Sequence, residues 1–252
     1  MGALIHRLKR GKFNRIKATF LSPIHVFVFH HVSDVRDPLV SGKPDWTPSD
    51  VFYANMLKLK KEFKFISLDT AYSKLKNDRI RRKKYAVLTT DDGLQTVLSV
   101  WPWLQEQGIP LTCFINAKYL DGVSYKVQDA ERIRREDPVA DIHAVIARQY
   151  MSDEQVFLLN SPLISIASHG YEHLDESSLE ESSFRVNIQE SIKVLSSHPR
   201  YIPFHAFPWG KHNQMTDQVL KEIGLIPVLA DGISENFSPQ IIHRKCIDGL
   251  SL

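Results

Sequence analysis

The sequence predicts an α/β fold in which a parallel sheet closes, or nearly closes, into a β/α barrel. Three observations carry this. Eight short strand-like runs alternate with helix-like runs, no internal repeat or low-complexity linker interrupts them, and 252 residues suffice for one such barrel with a buried core.

The elements follow in order. Ile24 to Phe29 is rich in β-formers. Thr47-Pro48-Ser49-Asp50 reads as a helix start, with a capping hydroxyl, Pro at the first turn and an acid three residues on. Phe52, Met56, Leu59 and Phe63 continue at helical spacing. Phe65 to Ser67 reads as a short strand and Asp69 to Leu75 as a short helix. Tyr85 to Thr89 is the third strand, Leu94 to Gln107 a helix stopped by Gly108, and Leu111 to Ile115 the fourth strand. Residues 121 to 160 break the rhythm: charged around Glu131 to Asp137, then amphipathic, they are expected to form a helical insertion. Leu163 to Ala167 resumes the strands. A helix from about Glu180 places Phe184, Ile188, Ile192 and Leu195 on one face. Phe204 to Phe207, Ile226 to Leu229 and Ile241 to Ile247 are the last strands, with a helix ending at Gly224 between the first two.

Hydrophobic content of 43% and charged content of 24% are those of a soluble globular protein, and a net charge of +3 gives no argument for nucleic-acid binding. The charge is uneven, however. Arg7, Lys9, Arg10, Lys12, Arg15 and Lys17 precede the first acid, Asp34, so residues 1–20 form a basic N-terminal extension and 21–252 a single barrel domain. Such a run is ordinarily solvated; its sharper reading is peripheral contact with an anionic membrane surface. A second basic run spans Lys74 to Lys84, broken only by Asp78. Cys113 and Cys246 lie in strand-like runs and are expected to be buried thiols rather than a disulfide. No apolar run reaches membrane-span length, and Ile24 to Phe29 is short and lacks a small-residue cleavage site, which reads against a signal peptide. The expected location is cytoplasmic, with membrane association only through residues 1–20. Oligomeric state is not legible.

In a β/α barrel the working residues sit just after the strands, at one rim. Three stretches fall there: Thr89-Thr90-Asp91-Asp92-Gly93, Ser168-His169-Gly170-Tyr171-Glu172-His173, and Phe207-Pro208-Trp209-Gly210. Adjacent carboxylates are costly unless a cation separates their charges, and a divalent metal can bind one while leaving the other as a base. Alone, Asp-Asp-Gly is a surface turn, and histidines four apart are often ordinary surface residues. Together with a carboxylate, two imidazoles leave an open position on a catalytic zinc. The apolar Phe-Pro-Trp-Gly stretch packs as core, or else aims the Trp209 amide at an oxyanion, with Pro208 fixing the turn and the ring walling a sugar pocket. His30 and His31, which end the first strand, could also line that pocket.

Taken in order, Asp-Asp-Gly, Ser-His-x-x-x-His and Phe-Pro-Trp-Gly resemble the leading motifs of the polysaccharide deacetylases, the NodB-homology or carbohydrate esterase 4 group. Phe29-His30-His31-Val32-Ser33-Asp34 resembles the opening common in bacterial members, and Ile66-Ser67-Leu68-Asp69 and Ile247-Asp248-Gly249 are similar to further family stretches. The resemblance spans roughly residues 24 to 249 apart from the insertion. It implies a distorted (β/α)7-8 barrel of the NodB-homology type that binds one divalent metal ion, usually Zn2+, and hydrolyses an N-acetyl group from an amino sugar in a glycan or lipid-linked glycan precursor. By position, Asp91 matches the base that activates a metal-bound water, and Asp92, His169 and His173 match the metal ligands. Trp209 and Pro208 match the oxyanion and substrate turn, His31 is assigned to the pocket wall, and His243 on the last strand is assigned as general acid. Three departures stand out, one being that the Leu-x-His context of the family's acid is absent at His243, which otherwise reads as a plain strand histidine. Thr90 replaces the usual Phe, and Ala206 stands where many members carry an Arg that pairs with the catalytic Asp; members acting on biofilm polysaccharides also lack that Arg. Deformylation of a lipid-linked amino sugar and a non-catalytic carbohydrate-binding barrel are the alternative readings. A two-metal phosphoesterase would need further ligands, and none stand out.

Overall fold

A computed structural model describes residues 24–34, 46–76, 84–122, 124–139, 141, 149–229 and 242–250. The basic extension 1–20 and the middle of the 74–84 run lie outside the described residues. The strands are β1 (Ile24–Phe29), β2 (Lys64–Phe65), β3 (Tyr85–Thr90), β4 (Leu111–Ile115), β5 (Ile164–Ser168), β6 (Tyr201–Ala206), β7 (Ile226–Leu229), β8 (Ile242–His243) and β9 (Lys245–Cys246). They are hydrogen-bonded in the order β8-β7-β6-β5-β4-β3-β1-β9, every pair parallel.

β8 and β9 are separated by Arg244 alone, yet they lie at opposite ends of that order. The strand expected over Ile241 to Ile247 is therefore split. His243 pairs with Leu229 on one edge, and Cys246 pairs with Val28 on the other. This crossover closes the distorted barrel. The stave expected at Phe65 to Ser67 is reduced to β2, which touches only the start of β3, at Tyr85 and Ala86, before β4 takes over at Leu88. It ends there because Ser67 turns the chain into the helix Leu68–Lys76: its hydroxyl bonds that of Thr70 at 2.9 Å, and its carbonyl accepts the Ala71 amide.

All six residues of β3 are buried, as befits a strand covered on both faces. Alternate residues serve two layers. Val26, Val87, Phe114, Ala167, Phe204, Val228 and Ile242, one from each of seven strands, meet in the inner core with Leu68 and Ala71 of α2 (Leu68–Lys76). Phe27, Phe29, Leu88, Leu111 and Ile115 face outward onto α1 (Ser49–Glu62) and α3 (Thr96–Glu106) through Phe52, Met56, Leu59, Val97 and Leu104. Each such large side chain stabilises the fold by roughly 1.5–3 kcal/mol relative to exposure.

The insertion contains α4 (Val127–Glu136) and α5 (Asp153–Leu158), the latter opened by a Ser152–Gln155 capping box. Between them it returns to the loop after β3: the Gln95 amide bonds the Gln149 carbonyl, the Met151 amide bonds the Gly93 carbonyl, and Leu94 bridges Tyr150. That pairing occupies residues 93–95, so α3 begins at Thr96 rather than Leu94. Helices α6 (Glu181–Leu195) and α7 (Gln214–Ile223) complete the outer layer, burying Phe184, Ile188 and Leu220. No described helix is long and apolar enough to cross a membrane.

Candidate active site

The rim is built around the turn that leaves β3. Asp92 has φ +72° and Gly93 φ +77°. Two left-handed residues in succession send the adjacent carboxylates in different directions, at a cost in strain for the non-glycine. Asp91 turns inward onto Arg244, whose Nη1 and Nη2 donate to its two oxygens at 2.5 and 2.7 Å. Arg244 is buried and also donates to the Leu229 carbonyl and the Thr89 hydroxyl. Burial alone would raise the Asp91 pKa; the charges of Arg244 and His169, the Arg244 hydrogen bonds and the charge of His30 outweigh it and hold the carboxyl at about 2. The guanidinium absent at Ala206 thus arrives from the strand crossover instead.

Asp92 faces His169 and His173. Its Oδ1 lies 3.6 Å from His169 Nε2 and 3.4 Å from His173 Nε2, and the three donors all fall within 4.8 Å of one another. Tetrahedral bonds of about 2.0–2.1 Å place donor atoms about 3.4 Å apart, so the set fits a divalent ion with little rearrangement. His169 Nδ1 lies 2.7 Å from the Ala206 carbonyl, which can only accept, so Nδ1 carries the hydrogen and Nε2 presents its lone pair. Burial lowers the pKa of both imidazoles. At His169 it outweighs the pull of Asp91 and Asp92, and at His173 the ammonium of Lys126 adds to it. Burial thus favours the deprotonated ring at both positions, the state a metal ligand needs. For Asp92, the attraction of Lys126 and of the two histidines overcomes burial and holds the carboxyl far below its usual range. Lys126, at the start of α4, places Nζ 2.8 Å from Asp92 Oδ1.

The His169–His173 loop rests on a buried polar cluster. Glu176 and His205 meet at 2.8 Å, and Ser168 Oγ lies 3.0 Å from the other His205 nitrogen. The Asn187 amide donates to Glu176 and accepts the backbone amides of Tyr171 and Glu172. Gly170, at φ +82°, lies so close that a Cβ would sit 2.8 Å from Glu176 Oε1.

His30 stands on the other side of Asp91. Its Nε2 is 3.9 Å from Asp91 Oδ2, while its Nδ1 donates to Asp248 Oδ2 at 2.6 Å. Burial would lower its pKa, but hydrogen bonds to Asp248 and Cys246 and the charges of Asp248 and Asp91 raise it well above the usual value. His31 is buried on a short strand paired with Trp46, and it is His30 that reaches Asp91. His243 lies on β8, with its side chain outside the described residues. Pro208 is buried in the short 3-10 turn after β6. Trp209, at φ +54°, is half exposed and meets the His173 ring edge-on at 4.3 Å. It borders a groove of about 450 Å³ lined by Gln128, His173, Leu174, Asp175, Trp209 and Lys211. Sequence reasoning missed Arg244, Asp248 and Lys126, and chose His31 over His30. The Ile247-Asp248-Gly249 stretch was the available signal for Asp248; Arg244 and Lys126 gave none.

The polysaccharide deacetylase family profile matches residues 78–228. No curated protein sequence matches significantly. Among solved structures, the Streptococcus pyogenes deacetylase PplD in complex with acetate superposes with a TM-score of 0.68 at 19% identity, over 90% of this chain and 92% of that one. IcaB from Ammonifex degensii gives 0.65 at 20% identity, over 88% and 90%. The BpsB deacetylase domain from Bordetella bronchiseptica gives 0.65 at 19%, over 89% and 96%. At these identities the likeness speaks for the fold.

Proposed function

The chain belongs to the polysaccharide deacetylase family, and we propose that it hydrolyses the N-acetyl group of an amino sugar in a glycan or lipid-linked glycan precursor, at a divalent metal held by Asp92, His169 and His173. One observation carries the reading. Asp91 Oδ2 lies 3.9 Å from His30 Nε2 and 3.9 Å from His169 Nε2, so an ionised carboxylate, a proton-bearing imidazole and a lone-pair donor converge on one spot.

The donor set fits zinc: two neutral imidazoles and one carboxylate, with one imidazole oriented by a backbone carbonyl. When bound, the ion supplies Lewis acidity that polarises the acetamide carbonyl and acidifies water. The remaining work falls to the chain. Asp91, kept ionised by Arg244, accepts the proton of the attacking water. His30, protonated and fixed by Asp248, gives its Nε2 proton to the departing amine. It takes the place of His243 as the proposed acid. The Trp209 amide is assigned to the developing oxyanion, and its exposed ring gives the sugar an apolar face beside the groove.

Metal analysis of the purified protein combined with acetate release from N-acetylated oligosaccharides tests the proposal. About one zinc per chain and acetate release abolished by a chelator are expected. Release that persists in the chelated protein would overturn it, and a protein that binds zinc but releases no acetate would be a binding barrel.

A further inference from the structure

Asp248 is buried and holds two neighbours at once. Its Oδ1 accepts the His30 backbone amide at 2.9 Å, which fixes the carboxylate. Its Oδ2 accepts two hydrogen bonds, from His30 Nδ1 at 2.6 Å and from the Cys246 thiol at 3.0 Å. The three ligand-capable atoms all lie within 4.8 Å of one another, and His30 and Cys246 are only partly buried, so an ion can reach them. The frame is rigid. Cys246 pairs with Val28, the Ile247 amide bonds the Val28 carbonyl, and the Gly249 amide bonds the Thr47 hydroxyl.

We propose that His30, Cys246 and Asp248 form a second cation site, distinct from the Asp92–His169–His173 triad, for a borderline-soft divalent ion of the zinc type. Imidazole, thiolate and carboxylate are a ligand set that zinc accepts, and the sulfur selects against magnesium and calcium. Bonds of about 2.0–2.3 Å place such donors about 3.3–3.6 Å apart, so the side chains need to spread by less than about 1 Å. The exchange also balances. The ion displaces the thiol proton of Cys246 and the Nδ1 proton of the His30 imidazolium. Two positive charges enter and two protons leave to solvent, and the buried carboxylate sees no change in net charge.

A consequence follows that rests on the proposed role of His30 as acid. With the ion on Nδ1 the ring keeps its Nε2 proton, but as a neutral imidazole rather than an imidazolium it is a far weaker acid. Zinc in excess of the first equivalent then inhibits.

Titration of the metal-free full-length protein with cobalt(II) tests the site. Nitrogen and oxygen ligands at the triad give only weak visible bands, whereas a thiolate ligand gives an intense near-ultraviolet charge-transfer band. That band is expected to grow during the second equivalent, to persist in Cys113→Ser, where Cys246 is the remaining thiol, and to vanish in Cys246→Ser. A titration that shows no such band, or one lost in Cys113→Ser, overturns the site. Acetate release is followed in parallel with zinc. A second-equivalent band with undiminished turnover keeps the site and removes His30 from the proton transfer, so the two readings fail separately.

Discussion

The two terminal nitrogens of Arg244 donate to the two oxygens of Asp91, a bidentate clamp across 153 positions of sequence with both partners buried. Removing one member of such a pair leaves a charge with no counterion in the interior. Arg244→Met is expected to cost about 3–5 kcal/mol in urea denaturation. The same variant lets burial act on Asp91 without the guanidinium, so the acid limb of the pH–rate profile moves upward from about 2. The wild-type clamp has the opposite signature. Because the folded pKa lies below the unfolded 3.8, its stabilisation is complete above that value and is lost as pH falls toward 2.

Asp91 and His169 separate binding from turnover. Asp91→Asn is expected to keep one zinc per chain while turnover falls by about 10²–10⁴, the worth of a general base. His169→Ala removes a donor held by the Ala206 carbonyl and loses both metal and activity. Metal content after gel filtration, read beside acetate release, checks the pair; turnover surviving in either variant contradicts the assignment.

Asp248 sets the charge on His30. With the carboxylate neutralised in Asp248→Asn, the raised His30 pKa drops. The alkaline limb of kcat then moves to lower pH, and turnover at neutral pH falls by about 10²-fold. For stability the sign is likewise fixed: the contribution of His30 is present below its unfolded value of 6.5 and is lost as pH rises through the folded value. Parallel pH–rate profiles and thermal melts distinguish the two effects.

Gly170 is the tightest point of the histidine loop. At φ +82°, an added Cβ would meet Glu176 Oε1 at 2.8 Å and the Glu172 carbonyl at 2.9 Å. Gly170→Ala is expected to lose about 1–3 kcal/mol of stability and about 10–100-fold in zinc affinity, measured by competition with a chromophoric chelator.

At the proposed metal site, Lys126 would compete with the ion for Asp92. An ammonium 2.8 Å from a ligand oxygen repels an incoming dication by about 2 kcal/mol at water-like dielectric, which physiological salt screens to about 1 kcal/mol. Lys126→Met is expected to raise zinc affinity about five- to tenfold by the same chelator competition; unchanged affinity would show that the lysine simply swings aside.

What the sequence made legible was whatever repeats or follows a strand. β1, β3, β4 and β7 lie where their apolar runs put them, and Asp92, His169 and His173, each just beyond a stave, fall within reach of one another. Periodicity carries no information on where a barrel closes, so the split of the last strand and the arrival of Arg244 at Asp91 were invisible. His30 and His31 differ by a single register step at the end of β1, and only the pairing of Val28 with Cys246 brings Asp248 beside the first of them. Lys126 reaches Asp92 because the insertion docks back on residues 93–95, a contact with no local signature.

The strand crossover at Arg244 comes late in the sequence, after every other stave. The proposed metal-binding set is complete once His173 has been synthesised, but the partners of the proposed base and acid, Arg244 and Asp248, emerge later on the ribosome. A nascent or proteolytically clipped chain ending after Leu229 would retain the metal-binding residues and lack the groups that manage protons. On the proposed mechanism, hydrolytic competence would depend on the same step that joins the two sheet edges.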